Sequence, residues 1–311
     1  MPLERDRITR LADRHYPGRL LNAQPLSGGM SAETWALELA AGAASARTET
    51  VILRIPGADT LRLNPHAAEN EFTTLEFLQS LHLPTPAPLV LDVSRAILPA
   101  PYLIMACVPG QTLYAGHLPP DFAAQMGSAL ARIHTAGLGV AATRPHLPRI
   151  SAQPIPQLPT NLALDTSRFQ DTIRAAWPFP ANNPLTLLHG DFWIGNLLWH
   201  GSRLAGVIDW EDAALGDPLA DLAIARLDLM WIYSRQARDA FTRAYLAENL
   251  CELGSLPWWD LWAAQRLARL VGNDLAGWVA FLHDHQLTNL TPADVQARYQ
   301  AFVDQAVTTL R

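Results

Sequence analysis

One segment of the chain, residues 187–211, limits the possible folds more than any other. An apolar run leads into the turn His189-Gly190-Asp191, and Asn196 follows five residues after the aspartate. Two further apolar runs predict a hairpin that ends at Asp209. This order predicts that two carboxylates and an amide oxygen converge at one edge of a small sheet. Such oxygen ligands are those that Mg²⁺ accepts in proteins, together with water and phosphate.

The same segment carries a family signature. The pattern His-Gly-Asp-x-x-x-x-Asn at 189–196, followed by Ile-Asp-Trp-Glu at 208–211, resembles that of the aminoglycoside phosphotransferase family, whose members have the protein-kinase-like fold. Downstream, residues 216–223 resemble the family's Asp-Pro-x-x-Asp-Leu-Ala helix start. Each residue alone is more typical of a turn or a helix cap. The combined order favours the family.

The resemblance implies a role for each signature residue. Asp191 is expected to accept or orient the proton of an attacking hydroxyl group, with His189 beside it in the catalytic set. Asn196 and Asp209 are expected to hold the magnesium ions that bridge the phosphates of a nucleotide. Two further aspartates are expected to support the catalytic loop rather than to touch substrate: Asp217 and Asp221.

A glycine-rich segment upstream predicts where the phosphates of a nucleotide would lie. Residues 26–31 stand between two predicted strands, and small residues there would let backbone N–H groups approach phosphate oxygens. The candidate residues are Ser27, Gly28, Gly29 and Ser31. An ordinary Gly-Gly turn would have the same composition.

The strand Val51–Ile55 carries Arg54 where the kinase pattern has a lysine that pairs with the α- and β-phosphates. Arginine presents a planar fork instead of a compact charge, so the replacement can indicate altered activity. All 23 basic residues of the chain are arginine, however. We therefore favour a compositional origin and expect Arg54 to bind phosphate.

The helix predicted over residues 65–82 offers two carboxylates as partners for Arg54. We prefer Glu71, and Glu69 is the alternative. The strand that follows, residues 102–105, runs into a Val-Pro-Gly turn that resembles an interlobe hinge. The resemblance implies that Met105, Ala106 and Val108 contact the adenine edge, although a buried strand followed by a turn explains the same residues.

The order of the predicted elements gives an α+β two-lobed fold, and the resemblance implies that this fold is protein-kinase-like. A small antiparallel-sheet N-lobe is predicted over residues 1–107 and a larger, mainly helical C-lobe over residues 108–311, with the hinge at about 105–110. From Leu219 onward almost every segment has helical periodicity, and Pro257 and Pro292 mark helix starts.

The acceptor side of the site is less defined by the sequence. Glu211 and Asp212 come soon after the expected metal ligand Asp209 and are candidates to contact an amine on the acceptor, or to cap the next helix. Of the ten tryptophans, Trp231 is a candidate to stack on the acceptor. Core packing between helices is the competing interpretation.

Bulk properties exclude several classes of partner. The formal net charge is -6, so no basic field is available to hold nucleic acid. No apolar run approaches the roughly 18 residues of a membrane span, and the first residues do not resemble a signal peptide. We therefore expect a cytoplasmic protein that binds neither nucleic acid nor membrane.

These expectations combine into a functional hypothesis. The chain is predicted to be an Mg²⁺-requiring O-phosphotransferase that uses ATP or GTP and a small-molecule hydroxyl acceptor: an aminoglycoside-like compound, a sugar or another metabolite. The alternative is a nucleotide-binding pseudokinase that acts as a regulatory module, for which Arg54 is the single support. A protein kinase is disfavoured, because the short interval between Asp209 and Asp221 leaves no room for a peptide-docking segment.

Overall fold

The computed structural model describes residues 5–26, 31–40, 48–113, 118–140, 147–150, 162–176, 182–284, 286–287 and 289–310. Contacts between residues divide the chain into two compact units. The first unit comprises Met1–Pro109 and Ala205–Glu211, and the second comprises Gly110–Leu204 and Asp212–Arg311.

An antiparallel sheet forms the centre of the first unit. Within the described residues it has five strands in the order β1-β2-β3-β5-β4. The strands are β1 (Leu20–Leu26), β2 (Ala32–Ala40), β3 (Thr48–Pro56), β4 (Pro88–Asp92) and β5 (Tyr102–Ala106). The helices of this unit are α1 (Arg5–His15), α2 (Ala58–Leu63) and α3 (Ala67–Ser80).

Period-2 patterning explains why these residues form strands with a buried face. Leu37 and Leu39 of β2 are fully buried and lie in one cluster with Leu53 of β3. Ile8 and Leu11 of α1 pack into the same cluster. Strand β3 and helix α3 confirm the strand predicted at Val51–Ile55 and the helix predicted over residues 65–82. Helix α1 was not predicted.

A polar network joins α1 to the sheet at the edge of this cluster. The hydroxyl group of Tyr102 donates to Asp92 Oδ2 at 2.9 Å and lies 2.8 Å from His15 Nε2. Because both ends of this network are side chains from different elements, it fixes the position of α1 against β4 and β5. Burial raises the pKa of the Tyr102 hydroxyl, and its hydrogen bond to Asp92 raises it further.

The segment 205–211 belongs to the first unit, although it follows residues of the second and lies within the predicted C-lobe. The N–H of Val207 donates to the carbonyl of Pro84 at 2.8 Å. Asp209 and Glu211 form ion pairs with Arg54 of β3. The segment thus delivers two carboxylates to the sheet of the first unit.

Helices dominate the second unit. They are α4 (Phe122–Ala136), α5 (Ser167–Ala176), α6 (Leu219–Asp228), α7 (Arg235–Glu248), α8 (Leu256–Val271), α9 (Leu275–Asp284) and α10 (Pro292–Leu310). Short strands precede α6: β6 (Arg149–Ile150), β7 (Thr186–Leu188), β8 (Leu197–His200), β9 (Arg203–Val207) and β10 (Ala214–Gly216). The first, second and last of these form one sheet in the order β6-β10-β7, and β8 pairs with β9. The β8–β9 pair confirms the predicted hairpin, and the helices confirm the helical periodicity predicted from Leu219 onward.

Proline and a local change of helix type set the boundaries of the later helices. Pro257 lies in the first turn of α8, where its missing N–H costs nothing, and Pro292 begins α10. Between α6 and α7 the chain forms a π-helical segment, Leu229–Tyr233. Segments of this kind insert one residue per turn and re-aim the side chains next to them.

A glycine sets the distance between two packed helices of the second unit. At Gly127 of α4, a Cβ atom would meet the carbonyl oxygen of Phe241 in α7 and would lie 2.9 Å from the backbone nitrogen of Tyr245. These neighbours are backbone atoms and cannot rotate away. Glycine at position 127 therefore lets α4 and α7 lie closer together than alanine would allow.

We expect Gly127→Ala to destabilise the protein by ~1–3 kcal/mol, because the added methyl group forces α4 and α7 apart. Urea unfolding followed by circular dichroism measures this change. Gly254→Ala is the matched control, since a Cβ there has no neighbour within 4 Å. Equal stability of the two variants would contradict the packing argument.

Within the described residues, the helices are all too short or too polar to cross a membrane. The sheet-rich first unit and helical second unit make the fold α+β, as the sequence predicted.

Candidate active site

The candidate residues of the first unit gather around Arg54, which lies in β3 and is 8% exposed. Its Nε lies 3.0 Å from Glu71 Oε2, and its Nη2 lies 2.6 Å from Asp209 Oδ1 and 2.8 Å from Glu211 Oε2. One guanidinium group therefore holds three carboxylates. Its Nε and Nη2 point in different directions, so Nε meets Glu71 while Nη2 meets both Asp209 and Glu211.

Glu71, rather than Glu69, is the helix residue that reaches Arg54. Glu69 points away and lies 3.0 Å from His66 Nδ1 on the exposed side of α3. Burial alone would lower the pKa of Arg54, but the three carboxylates raise it, so the guanidinium stays charged. Burial raises the pKa of Glu71, against the opposing effect of Arg54.

Asp209 has an unusual backbone conformation. Its φ angle is 67°, a left-handed value that a residue with a side chain seldom adopts. The next residue, Trp210, is buried and donates its Nε1–H to the carbonyl of Val207 at 3.0 Å. That bond closes a turn which holds Asp209 in place. Strain of this kind concentrates at functional sites.

Glu211 lies against the start of β2 as well as against Arg54. The Ser31 hydroxyl donates to Glu211 Oε1, and the Ser31 carbonyl accepts from Gly57 N–H at 2.7 Å and from the Thr60 hydroxyl at 3.0 Å. Both functional groups of Ser31 are therefore in use. Its predicted companions lie outside the described residues: Ser27, Gly28 and Gly29.

The predicted hinge residues follow one another at the end of β5. Met105 pairs with Ile52 within the sheet, and Ala106 donates its N–H to the carbonyl of Ala87 at 2.8 Å. Val108 lies beyond the last ladder pair. The N–H and C=O groups of Val108 are therefore not used by the sheet. Contact with an adenine edge would require such unused backbone groups.

In the second unit, β7 delivers the loop that carries Asp191. Gly190 has a φ angle of 85°, and a Cβ there would lie 2.8 Å from the backbone carbon of Asp212. A side chain is therefore excluded by conformation and by space. This explains why glycine stands between His189 and Asp191.

Asp221, at the start of α6, holds this loop through two backbone bonds. Its Oδ2 accepts the N–H of His189 at 2.6 Å, and its Oδ1 accepts the N–H of Gly190 at 2.9 Å. His134 Nε2 lies 3.2 Å from Oδ2. Burial alone would raise the pKa of Asp221, but the hydrogen bonds from His134 and the His189 backbone hold it below its usual value.

His189 itself lies inside the second unit. Its side chain is fully buried, its ring packs edge-on against Phe192, and its Nδ1 accepts the N–H of Asp191 at 3.3 Å. A ring in this position orients the backbone of Asp191. Because it is fully buried, it does not face the solvent from which a substrate would approach. His134 is likewise buried, with Nδ1 2.8 Å from the Tyr245 hydroxyl.

The carboxylate of Asp191 has a different partner at each oxygen. Asn196 Nδ2 lies 3.2 Å from Oδ2 and also donates to the Asp191 carbonyl at 2.9 Å. Arg266 Nη2, from α8, donates to Oδ1 at 2.9 Å. Arg266 was missed by sequence reasoning, since it lies 75 positions downstream within a helix of ordinary periodicity.

Asp217 supports the start of α6. Its Oδ1 accepts the N–H of Leu219 at 2.9 Å and the Asn183 side-chain amide at 3.1 Å. The first of these bonds caps the helix from which Asp221 projects. The backbone of Asp212 lies against Gly190, at the side of the same loop.

Trp231 lies in the π-helical segment and is 2% exposed. Its Nε1–H donates to Asp228 Oδ1 at 2.8 Å. Burial raises the pKa of Asp228 to about 7. The Trp231 hydrogen bond opposes this rise, Asp191 adds to it, and Arg266 opposes it. Because Trp231 is covered, stacking on an acceptor would require the helices to move.

The donor set of the signature residues fits magnesium better than a softer metal. Asn196 and Asp209 offer oxygen atoms alone, and the Asn196 amide nitrogen already faces Asp191, so its oxygen is the atom left for a cation. Among the described residues, no group of three His, Cys, Asp or Glu side chains forms a ready metal centre. The remaining ligands would be water and phosphate, as is usual for Mg²⁺.

Comparison with solved structures defines the fold class. Spectinomycin phosphotransferase APH(9)-Ia, solved with ADP and spectinomycin, superimposes with a TM-score of 0.62 over 100% of this chain and 98% of its own, at 13% identity. At this identity the likeness concerns the fold, which is the protein-kinase-like fold of small-molecule phosphotransferases. The model of the phosphotransferase enzyme family (APH) matches residues 22–263. The chain belongs to this family, as its signature predicted.

Curated relatives differ from this chain in length. Acyl-CoA dehydrogenase family member 10 of Mus musculus is 28% identical over 223 residues, which are 66% of this chain and 20% of the relative. Homoserine kinase of Gluconobacter oxydans is 28% identical over 139 residues, or 42% of this chain and 43% of the relative. The chain thus matches less than half the length of either protein.

We expect Asp221→Asn to lower stability by ~1–3 kcal/mol and to reduce turnover, because an amide has one acceptor oxygen for two buried backbone N–H groups. Chemical denaturation and steady-state kinetics measure the two effects. The control is Asp171→Asn, which alters an exposed ion pair with Arg174 and should cost less than about 0.5 kcal/mol. Similar values for both variants would argue against the bracing role.

Asp228 should make stability depend on pH. Its folded pKa of about 7 exceeds the unfolded value of about 4, so its contribution is present below pH 4 and is lost as the pH rises through 7. Asp228→Asn removes this loss. The free energy of unfolding of the variant, relative to that of the wild type, should therefore be ~1–3 kcal/mol higher at pH 8 than at pH 5. Urea unfolding at both pH values measures this difference. A constant difference at the two pH values would refute the assignment.

Proposed function

We propose that this protein transfers the γ-phosphoryl group of ATP or GTP to a hydroxyl group of a small molecule, with Asp191 as the base. The observation that carries the proposal is the Asp191 carboxylate, held by Asn196 and Arg266 on a loop that Asp221 fixes. Membership of the phosphotransferase enzyme family supports the same reaction class.

In the proposed step the acceptor oxygen forms a bond to the γ-phosphorus, and the bond from that phosphorus to the bridging oxygen breaks. The leaving nucleoside diphosphate takes the electron pair of the broken bond. The hydroxyl proton passes to Asp191, whose 32% exposed side chain is within reach of an acceptor. His189 acts by positioning, since its buried Nδ1 accepts the Asp191 N–H. Phosphoryl transfer asks little else of the protein than orientation and charge.

Magnesium would neutralise the charge that develops on the phosphate oxygens. We assign Asn196 and Asp209 as its protein ligands, each from its residue type and its surroundings within its own unit. The Asn196 amide nitrogen is turned to Asp191, and Asp209 is held by a left-handed backbone and by Arg54.

We assign Arg54 to the α- and β-phosphates of the nucleotide, with Met105, Ala106 and Val108 at the adenine edge. Arg54 carries the positive charge that phosphate oxygens attract, at the strand position where the kinase pattern has its phosphate-binding cation. The pairing with Glu71 is the one a catalytic strand cation requires. Arginine in this position therefore does not favour a pseudokinase. We also propose that the glycine-rich segment at 27–31 covers the phosphates and that the enzyme acts in the cytoplasm.

The acceptor is proposed to be a small hydroxyl compound. Related proteins carry names that include homoserine kinase and spectinomycin phosphotransferase. Glu211 faces Arg54 in the first unit and is thereby better explained as part of the nucleotide side than as an amine contact.

The test is transfer of ³²P from γ-labelled ATP or GTP to a library of metabolite alcohols, with and without Mg²⁺. We expect acceptor-dependent transfer that chelation abolishes and that Asp191→Asn lowers by about 10²- to 10⁴-fold, since the base is lost. Asp171→Asn serves as the control and should keep full activity. Equal transfer by the wild type and Asp191→Asn, or binding of nucleotide without transfer to any alcohol, would overturn the proposal and favour a binding module.

A further inference from the structure

Arg266 places a positive charge directly beside the proposed base. Its Nη2 lies 2.9 Å from Asp191 Oδ1, and its side chain is 28% exposed. A guanidinium group has five N–H donors. Among the described residues Asp191 is its hydrogen-bond partner, through Nη2, so the other nitrogens are available to a ligand that approaches the base.

Other arginines of the second unit are used differently. Arg226 is 7% exposed and holds Asp260 through two nitrogens, at 3.0 and 2.9 Å, and its third nitrogen donates to Thr242. Arg238 similarly binds Asp239 and Gln305. These side chains serve the packing of helices. Arg266 differs because it is accessible and because its partner belongs to the proposed site.

A tryptophan shares the helix face of Arg266. Trp262 lies four residues earlier in α8, which puts it one turn away on the same side. It is half-buried, and its ring is fixed edge-on against Trp259 at a centroid distance of 5.3 Å. The face thus offers a cation and a partly open indole next to Asp191. A ligand seated there would have its apolar part on Trp262 and its charged part on Arg266.

The positive charge of Arg266 favours some phosphoryl acceptors over others. A guanidinium group repels an ammonium group and forms strong, directed hydrogen bonds with a carboxylate. Asp212 and Asp228 also act on Arg266 and raise its pKa, although burial alone would lower it. These carboxylates offset part of the positive charge of Arg266. They do not remove the open N–H donors of Arg266.

We propose that the acceptor is a hydroxy acid, whose carboxylate binds Arg266 while its hydroxyl group meets Asp191. This inference deepens the proposed phosphoryl transfer and rests on it. The carboxylate is bound and released unchanged, and the transfer step is the one given above. Arg266 is then the residue that determines acceptor specificity, and Trp262 contacts the carbon chain.

The first test compares hydroxy acids with matched compounds that lack the carboxylate. Glycerate is paired with glyceramide, L-homoserine with homoserinol, and glycerol 3-phosphate is added to separate a carboxylate from a phosphate. We expect kcat/KM to be at least about 10-fold higher for the carboxylates than for their partners. A preference for the amide, for the amino alcohol or for the phosphate ester would overturn the proposal.

The second test changes Arg266. Arg266→Gln should raise KM for the hydroxy acid by about 10- to 100-fold and leave KM for the uncharged partner within about 2-fold. Arg266→Lys should restore part of the preference. Arg269→Gln, on an exposed position of the same helix, is the control. If Arg266 served solely to hold Asp191, kcat would fall equally for both compounds and their KM ratio would not change, which would overturn the proposal.

Binding measurements keep the two proposals distinguishable. Isothermal titration of the wild type and Arg266→Gln with glycerate and L-homoserine reports acceptor binding without transfer. Transfer to neutral alcohols with no hydroxy-acid binding would refute the hydroxy-acid inference and leave the phosphotransferase proposal intact. Hydroxy-acid binding that needs Arg266, without transfer to any alcohol, would refute the phosphotransferase proposal and support the binding site. Neither binding nor transfer would refute both.

Discussion

The loop that carries Asp191 depends on one buried carboxylate. Asp221 accepts the N–H groups of two consecutive residues, His189 and Gly190, and thereby fixes the backbone just before Asp191. A loop that follows a strand has backbone N–H groups without ladder partners, and such donors are costly to bury unpaired. A single carboxylate from the first turn of α6 meets both donors, and His134 keeps it oriented from the other side. The position of Asp191 therefore follows from the packing of α4 and α6 rather than from the loop itself.

In the first unit the equivalent role belongs to a cation. Arg54 gathers carboxylates from three parts of the chain: Glu71 of α3, and Asp209 and Glu211 of the segment that follows β9. Buried charges are tolerated when they are paired, and here each of the three carboxylates lies within 3.0 Å of a guanidinium nitrogen. The left-handed backbone of Asp209 is stabilised by this pairing and by the turn at Trp210.

Local pattern predicted the elements better than it predicted their partners. The alternation in β2 and the prolines at the starts of α8 and α10 indicated strands and helices correctly, because period and backbone restriction act over a few residues. Helix α1 was missed although Ile8 and Leu11 have helical spacing, since their charged neighbours concealed a short apolar stripe. The ion pair between Arg266 and Asp191 was beyond reach, because nothing local records a contact across 75 residues. The roles of Asn196 and Asp209 come from the family signature and stay predictions.

The use of arginine in place of lysine at position 54 has a chemical consequence. An electrophilic nucleotide analogue is attacked by the amine of a strand lysine. A guanidinium group that stays protonated is a poor nucleophile for such a reagent. Residues 1–311 contain no lysine, so none of their side chains offers a primary amine to such reagents. Dicarbonyl compounds, which condense with guanidinium groups, are the reagents suited to marking Arg54. Acetylation, which silences lysine, has no target at Arg54.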